Sequence, residues 1–150
     1  MPRIIAALLL LAFAAPAGAA TPAQPCEKAA EPLMSVTSSW AELYTAGSHL
    51  PAGCFDGYFA EGISDTIIRK IGTDWPGFIA VLLKHSNSKK FFGLVLDSFN
   101  ATVDEEDIQT ANRLALRSCP SKLKIKCLAI SQRAKEALAS YDPPLKPSNR

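Results

Sequence analysis

CFDGYFAEGISDTIIRKI, residues 54–71, is the stretch that decides the fold class. Phe55, Phe59, Ile63, Ile67 and Ile71 recur at every fourth position, with Tyr58 and Ile68 widening the row. Side chains four apart share one face of an α-helix, whereas a half-buried strand needs alternation, so the segment reads as an amphipathic helix. Asp65 and Arg69 stand one turn apart on its polar side, the spacing of a stabilising ion pair. Gly57 and Gly62 oppose the assignment, each at a cost of up to about 1 kcal/mol relative to alanine in a helix interior. Two glycines in one helix call for compensation, from a closely crossing helix or a bound group, and close crossing is the simpler source.

Helical spacing continues on both sides. Upstream, Pro32 suits a first helical turn, and Leu33, Val36, Trp40, Leu43 and Tyr44 follow on one face until Gly47 ends the pattern. Residues 21–30 hold two prolines and few large apolar groups, which predicts a loose lead-in tied down by Cys26. Downstream, Gly72 closes the central helix. Asp74 can cap the next one, where Pro76 is tolerated in the first turn and Trp75, Phe78, Val81, Leu82 and His85 follow. Asn87 or Ser88 restarts the chain before Phe91, Phe92, Val95, Leu96 and Phe99. Residues 91–96 have the composition of a strand, but no Gly- or Asn-based turn joins them to a partner, which favours helix.

Thr102-Val-Asp-Glu105 has capping-box spacing, and the acidic turn from Asp104 to Asp107 is balanced by Arg113 and Arg117 at the far end, as the backbone dipole prefers. Ile108, Ala111, Leu114, Ala115 and Cys119 supply the inward stripe, and Pro120 stops it. Ser121 is expected to cap a last helix with Leu123, Cys127, Ile130, Ala134, Ala137, Leu138 and Tyr141 inward; the alternation within residues 122–127 would also fit a strand, but the longer helical period contains it. The expectation is an all-α, irregular bundle of about six short helices forming a single domain over 21–142. Pro143, Pro144 and Pro147 mark residues 143–150 as a flexible tail.

The beginning of the chain predicts export. Arg3, an apolar run from Ile4 to Ala15 and a small-residue stretch ending at Ala19 and Ala20 have the layout of a cleavable signal peptide over residues 1–20. The run falls short of the about 20 strongly apolar positions that span a bilayer, so no membrane anchor is expected after cleavage. All four cysteines, Cys26, Cys54, Cys119 and Cys127, lie beyond that segment. An even count in an oxidising compartment predicts two disulfides, with three connectivities open. Sequence proximity favours Cys119 with Cys127, leaving Cys26 for Cys54. No Cys-x-x-Cys is present, and neither His49 nor His85 stands at ligand spacing from a cysteine, so no metal is expected.

Charge is unevenly distributed. Residues 21–112 carry 6 Lys or Arg against 12 Asp or Glu, and residues 113–150 carry 9 against 2. Such a surface can orient a partner before contact. Lys122, Lys124 and Lys126 lack interleaved aromatics, and nucleic-acid binding is not expected.

Catalytic motifs are sparse. The sequence has no Gly-x-Ser-x-Gly, His-Glu-x-x-His, Cys-x-x-Cys-His or EF-hand pattern, and no cofactor is expected. The one arrangement open to an enzyme is Asp56, Glu61 and Asp65 on the polar side of the central helix, where paired carboxylates could serve glycoside hydrolysis of the lysozyme type. His85, near a predicted helix end, reads as a cap or dipole partner rather than a general base.

The export signal, the helical body and the block from Cys119 to Leu138, with Cys127-Leu-Ala-Ile130 entering a final amphipathic helix, resemble small periplasmic immunity proteins that neutralise cell-wall-degrading effectors of type VI secretion. The resemblance is architectural and carries no residue-by-residue assignment. It implies a periplasmic or secreted inhibitor with a protein partner in the cell envelope. Electrostatic contacts to that partner are then expected from Lys122, Lys124, Lys126 and Lys146. A periplasmic adaptor or stress protein, or a homodimer burying its spare aromatics, is the competing expectation.

Overall fold

The computed structural model describes residues 23–141, so the expected signal segment 1–20 and the tail 143–150 lie outside the described residues. The described chain is all-α. Its helices are α1 Ala23–Met34, α2 Trp40–His49, α3 Gly57–Thr73, α4 Trp75–Lys84, α5 Lys89–Asp97, α6 Glu105–Arg117 and α7 Lys124–Leu138, with a 3-10 turn at Ser121–Leu123 before the last. Two disulfides, Cys26–Cys54 and Cys119–Cys127, span Cα separations of 5.1 and 6.2 Å.

α3 is the hub, touching α1, α4, α5 and α6. Ile63, Ile67, Ile68 and Ile71 are wholly buried along it, as the i,i+4 row predicts. The row does not extend back to Phe55. Asp56 caps the helix by accepting from the Gly57 amide at 2.8 Å, and Gly57 sits at φ +48°, a conformation that prevents helix from continuing upstream. Phe55 and Phe59 are consequently half-buried and Tyr58 is exposed. Gly62 lies against Met34 at the end of α1, so the second glycine serves a close crossing.

The largest departure from expectation is α1. Residues 23–34 form a helix rather than a loose lead-in, and Pro32 stands in its last turn rather than in the first turn of a longer helix. Pro25 falls in the first turn, where an amide would have no intrahelical partner, so it costs the helix nothing. Ala30 and Leu33 are fully buried, and the disulfide from Cys26 holds the helix to the loop before α3. α2 then begins afresh at a capping box, with the Ser39 amide donating to Glu42 Oε2 at 2.7 Å and the Glu42 amide to Ser39 Oγ at 3.3 Å. Val36, expected on an inward face, lies in the intervening turn and is 65% exposed.

Both tryptophans tie elements together. Trp40 Nε1 donates to the Asp74 carbonyl at 3.1 Å, and Trp75 Nε1 donates to the Ser118 carbonyl at 3.0 Å. Asp74 ends α3 through its amide, which donates to the Lys70 carbonyl, and starts α4 through its carboxylate, which accepts from Gly77. The shared cap makes the α3–α4 joint short and rigid. Phe78, fully buried, lies 5.0 Å from Trp40 and 5.6 Å from Trp75 between ring centroids.

α5 is helical, starts after Ser88 and ends at Asp97, leaving Phe99 buried in the following loop. That loop moves the next cap. Thr102 donates through both its amide and its hydroxyl to Asn100 Oδ1, at 3.0 and 2.6 Å, while Asn100 Nδ2 donates to Ser64 Oγ at 2.9 Å. With Thr102 engaged this way, Asp104 caps α6 instead, accepting from the Glu106 amide at 2.8 Å. Ser121 likewise does not cap the last helix through its side chain; it opens the 3-10 turn, and α7 starts three residues later without a side-chain cap. Tyr141, just past α7, donates its hydroxyl to the Val103 carbonyl and ties the segment after α7 to the loop before α6.

Gly47 marks where α2 passes closest to α5. A Cβ there would meet Leu94 Cδ2 at 2.8 Å and Phe91 Cδ2 at 3.0 Å. Gly47→Ala gains helix propensity of about 1 kcal/mol but overpacks this crossing by about 1 to 3 kcal/mol. A net loss of about 1 kcal/mol is expected, measured as a melting temperature a few degrees lower; a higher melting temperature would show that the crossing can relax.

Candidate functional site

α6 and α7 meet in a corner closed by the Cys119–Cys127 disulfide. α6 ends where the Ser118 amide donates to the Leu114 carbonyl at 2.8 Å, and Pro120 then turns the chain into the 3-10 segment. A bond across this short connection holds the first turns of α7 against the end of α6, with Cys127 buried and Cys119 partly so. The corner contains an open cleft of about 280 Å³ whose wall includes Leu116, Lys124, Cys127 and Leu128. Leu116 and Leu128 are 55% and 56% exposed, and Ile125, one turn before Leu128, is 85% exposed.

The cations of this region divide by environment. Arg117, Lys122 and Lys124 are exposed, and among the described residues none of them has a carboxylate within ion-pair distance. Lys126 instead turns onto α5, its Nζ 4.3 Å from the Phe92 ring centroid, and burial lowers its pKa from the usual lysine range. Arg133 pairs with Asp97 at 3.0 Å and with Glu136 at 3.4 Å. The structure thus places Lys122 and Lys124 at the corner, commits Lys126 to packing, and leaves Lys146 outside the described residues. α7 also has no acidic residue in its first turn, unlike α6 with Glu105, Glu106 and Asp107, so the positive end of its dipole is not offset.

The carboxylates on α3 are otherwise arranged. Asp56 is occupied as the cap of α3, Asp65 accepts from Arg69 at 2.8 Å, and Glu61 is exposed. Arg69 also reaches Asp107 on α6 at 3.7 Å, where burial raises the Asp107 pKa and Arg69 opposes the shift. None of the described cavities is lined by Asp56, Glu61 or Asp65. Among the described residues no group of three or more His, Cys, Asp or Glu is placed to hold a metal ion.

A larger groove of about 590 Å³ runs between α1 and α2 over Ala29, Pro32 and Ala46. Its ionisable members include Glu42 and His49, and both are committed locally. Hydrogen bonds from the Ser39 amide and hydroxyl hold the Glu42 carboxyl below its usual range, and His49 Nδ1 donates to the Thr45 carbonyl at 2.8 Å. His85 is the C-cap residue of α4 and stacks on Tyr44, ring centroids 3.7 Å apart.

The corner's aliphatic members escape a reading of the sequence that looks for inward stripes. Leu116 falls off the α6 stripe, and Ile125 and Leu128 fall off the α7 stripe. That displacement is the signal: a large aliphatic residue out of phase with a strong helical period points to solvent or to another molecule. No helix among the described residues is long and apolar enough to cross a membrane. Comparison with protein-family models, with curated proteins and with solved structures returned no match.

Proposed function

We propose that the protein is an exported, non-catalytic protein-binding module acting as an inhibitor or immunity protein on an enzyme of the cell envelope. The observation that carries this reading is the corner of α6 and α7, where Leu116 and Leu128 stand exposed at a cleft, with exposed Ile125 one turn before Leu128 and with cations that have no ion-pair partner among the described residues. Scattered exposed aliphatics are ordinary, but contiguous ones with a charged border are the anatomy of an interaction surface. Support for export comes from the signal-like first twenty residues, and two disulfides suit an oxidising compartment. Glycoside hydrolysis by the α3 carboxylates has no such geometric support, since Asp56 and Asp65 are engaged in capping and pairing.

The test starts from the mature protein recovered from the periplasm. Immobilised and exposed to envelope extract, it is expected to retain one partner stoichiometrically, more strongly at low salt than at moderate salt. The partner's enzymatic activity should fall as the protein is added and level off at a one-to-one ratio. Retention of nothing at either salt concentration would overturn the proposal, as would a retained enzyme whose activity does not change.

A further inference from the structure

We infer that the corner formed by the end of α6, the 3-10 turn and the first two turns of α7 is the docking face, and that its occupant is a protein presenting an apolar pocket rimmed by carboxylates. This rests on the protein-binding reading above and adds the face and the chemistry of the partner.

Shape gives the first argument. Ile125 projects as a knob at 85% exposure, and Leu116 and Leu128 flank a concavity deep enough to receive a side chain in return. Knob and cleft lie on elements joined by a disulfide, so little ordering is needed on binding.

Charge gives the second. Residues 113–135 contain seven Lys or Arg and no Asp or Glu. Arg133 is paired with Asp97 and Glu136 and Lys126 is packed on Phe92; of the other five, Arg117, Lys122 and Lys124 lie at the corner, exposed to carboxylates from outside. Juxtaposed like charges oppose association, so a second copy docking through the same face would set its cationic rim against this one. A lipid surface is a poorer fit than a protein. Interfacial helices lay a continuous apolar face along the membrane, whereas α7 buries its stripe at Cys127, Ile130 and Ala134 and leaves out only Ile125 and Leu128.

The experiment places a photo-cross-linking residue at position 125 of the mature protein, and in a second sample at position 36, where Val36 is also exposed. Both are irradiated in envelope extract. The cross-linked protein is identified by mass spectrometry, purified and titrated with the wild type, with Ile125→Asp, and with the double variant Lys122→Glu, Lys124→Glu. All three positions are exposed, so the variants should keep the wild-type circular dichroism spectrum. Position 125 and not position 36 is expected to capture a protein of acidic surface. Ile125→Asp should weaken its binding at least about 30-fold, and the double charge reversal at least about tenfold.

Capture at position 36 alone, or an identified partner whose affinity is unmoved by Ile125→Asp, would overturn the docking face and leave the protein-binding reading standing. Capture at neither position, with no stoichiometric partner retained from the extract, would overturn both. Two direct probes address the rival occupants. Cross-linking at 125 to a second copy of the chain, confirmed by sedimentation, overturns the inference. So does adsorption to phosphatidylglycerol vesicles that is lost in Ile125→Asp.

Discussion

Replacing Cys26 and Cys54 together by alanine is expected to lower the unfolding free energy by about 3 to 4 kcal/mol. The figure follows from the chain entropy released when a link between residues 28 apart in sequence is removed. The Cys119–Cys127 link, with a separation of 8, should be worth about 2 to 3 kcal/mol on the same account. Either loss is a large fraction of a domain stability of about 5 to 15 kcal/mol. The first double variant also loses its covalent tie between α1 and the loop before α3, although Ala30 and Leu33 would still bury against the core. Urea titration should therefore show a lower midpoint, and hydrogen exchange should show α1 amides losing protection before those of α3. If stability stays within about 0.5 kcal/mol of wild type, the unfolded chain is constrained by something other than this bond.

Phe78→Ala should be comparably damaging, at about 3 to 5 kcal/mol. Phe78 is fully buried and fills the space between Trp40 and Trp75, whose indoles are themselves hydrogen-bonded to the carbonyls of Asp74 and Ser118. Those bonds hold the walls in place, so the space left by the ring should close poorly and retain most of the cavity penalty. The change should appear both in thermal denaturation and in tryptophan fluorescence, because both indoles lose a neighbour. Phe78→Leu should recover a large part of the loss. Tyr58→Ala is the control: with its side chain 72% exposed, it should shift stability by no more than about 0.5 kcal/mol. A Phe78→Ala protein as stable as this control would mean that the two tryptophans collapse together at little cost.

The helical class and the hub helix can be read from the sequence because Ile63, Ile67 and Ile71 repeat every fourth residue while the intervening Asp65 and Arg69, which a strand would place on the same face, are charged. Pairing of consecutive cysteines is also readable, since a short connection brings Cys119 and Cys127 together. α1 is hidden for a physical reason. Its two prolines interrupt an otherwise helix-favouring stretch and it has too few large apolar residues to show a stripe, so the helix is marked only by the burial of Leu33 and the bond to Cys54, neither of which is local. Capping is misread where a loop competes for the same hydroxyl: Asn100 engages Thr102, and the cap passes to Asp104. At the candidate site, the sequence shows the cationic block but not how it divides. Only the structure separates Lys122 and Lys124, exposed at the corner, from Lys126 on Phe92. The aliphatic knob is legible in principle, as a residue out of phase with its helix.

Both cross-links join neighbours in the order of the chain, first cysteine to second and third to fourth. A polypeptide threaded through a narrow translocation pore from its N-terminus would present Cys26 and then Cys54 to an oxidant while Cys119 and Cys127 were still inside. Each thiol would meet its native mate before any rival emerged. The correct pattern could then arise by simple succession, without an isomerase to undo mistakes.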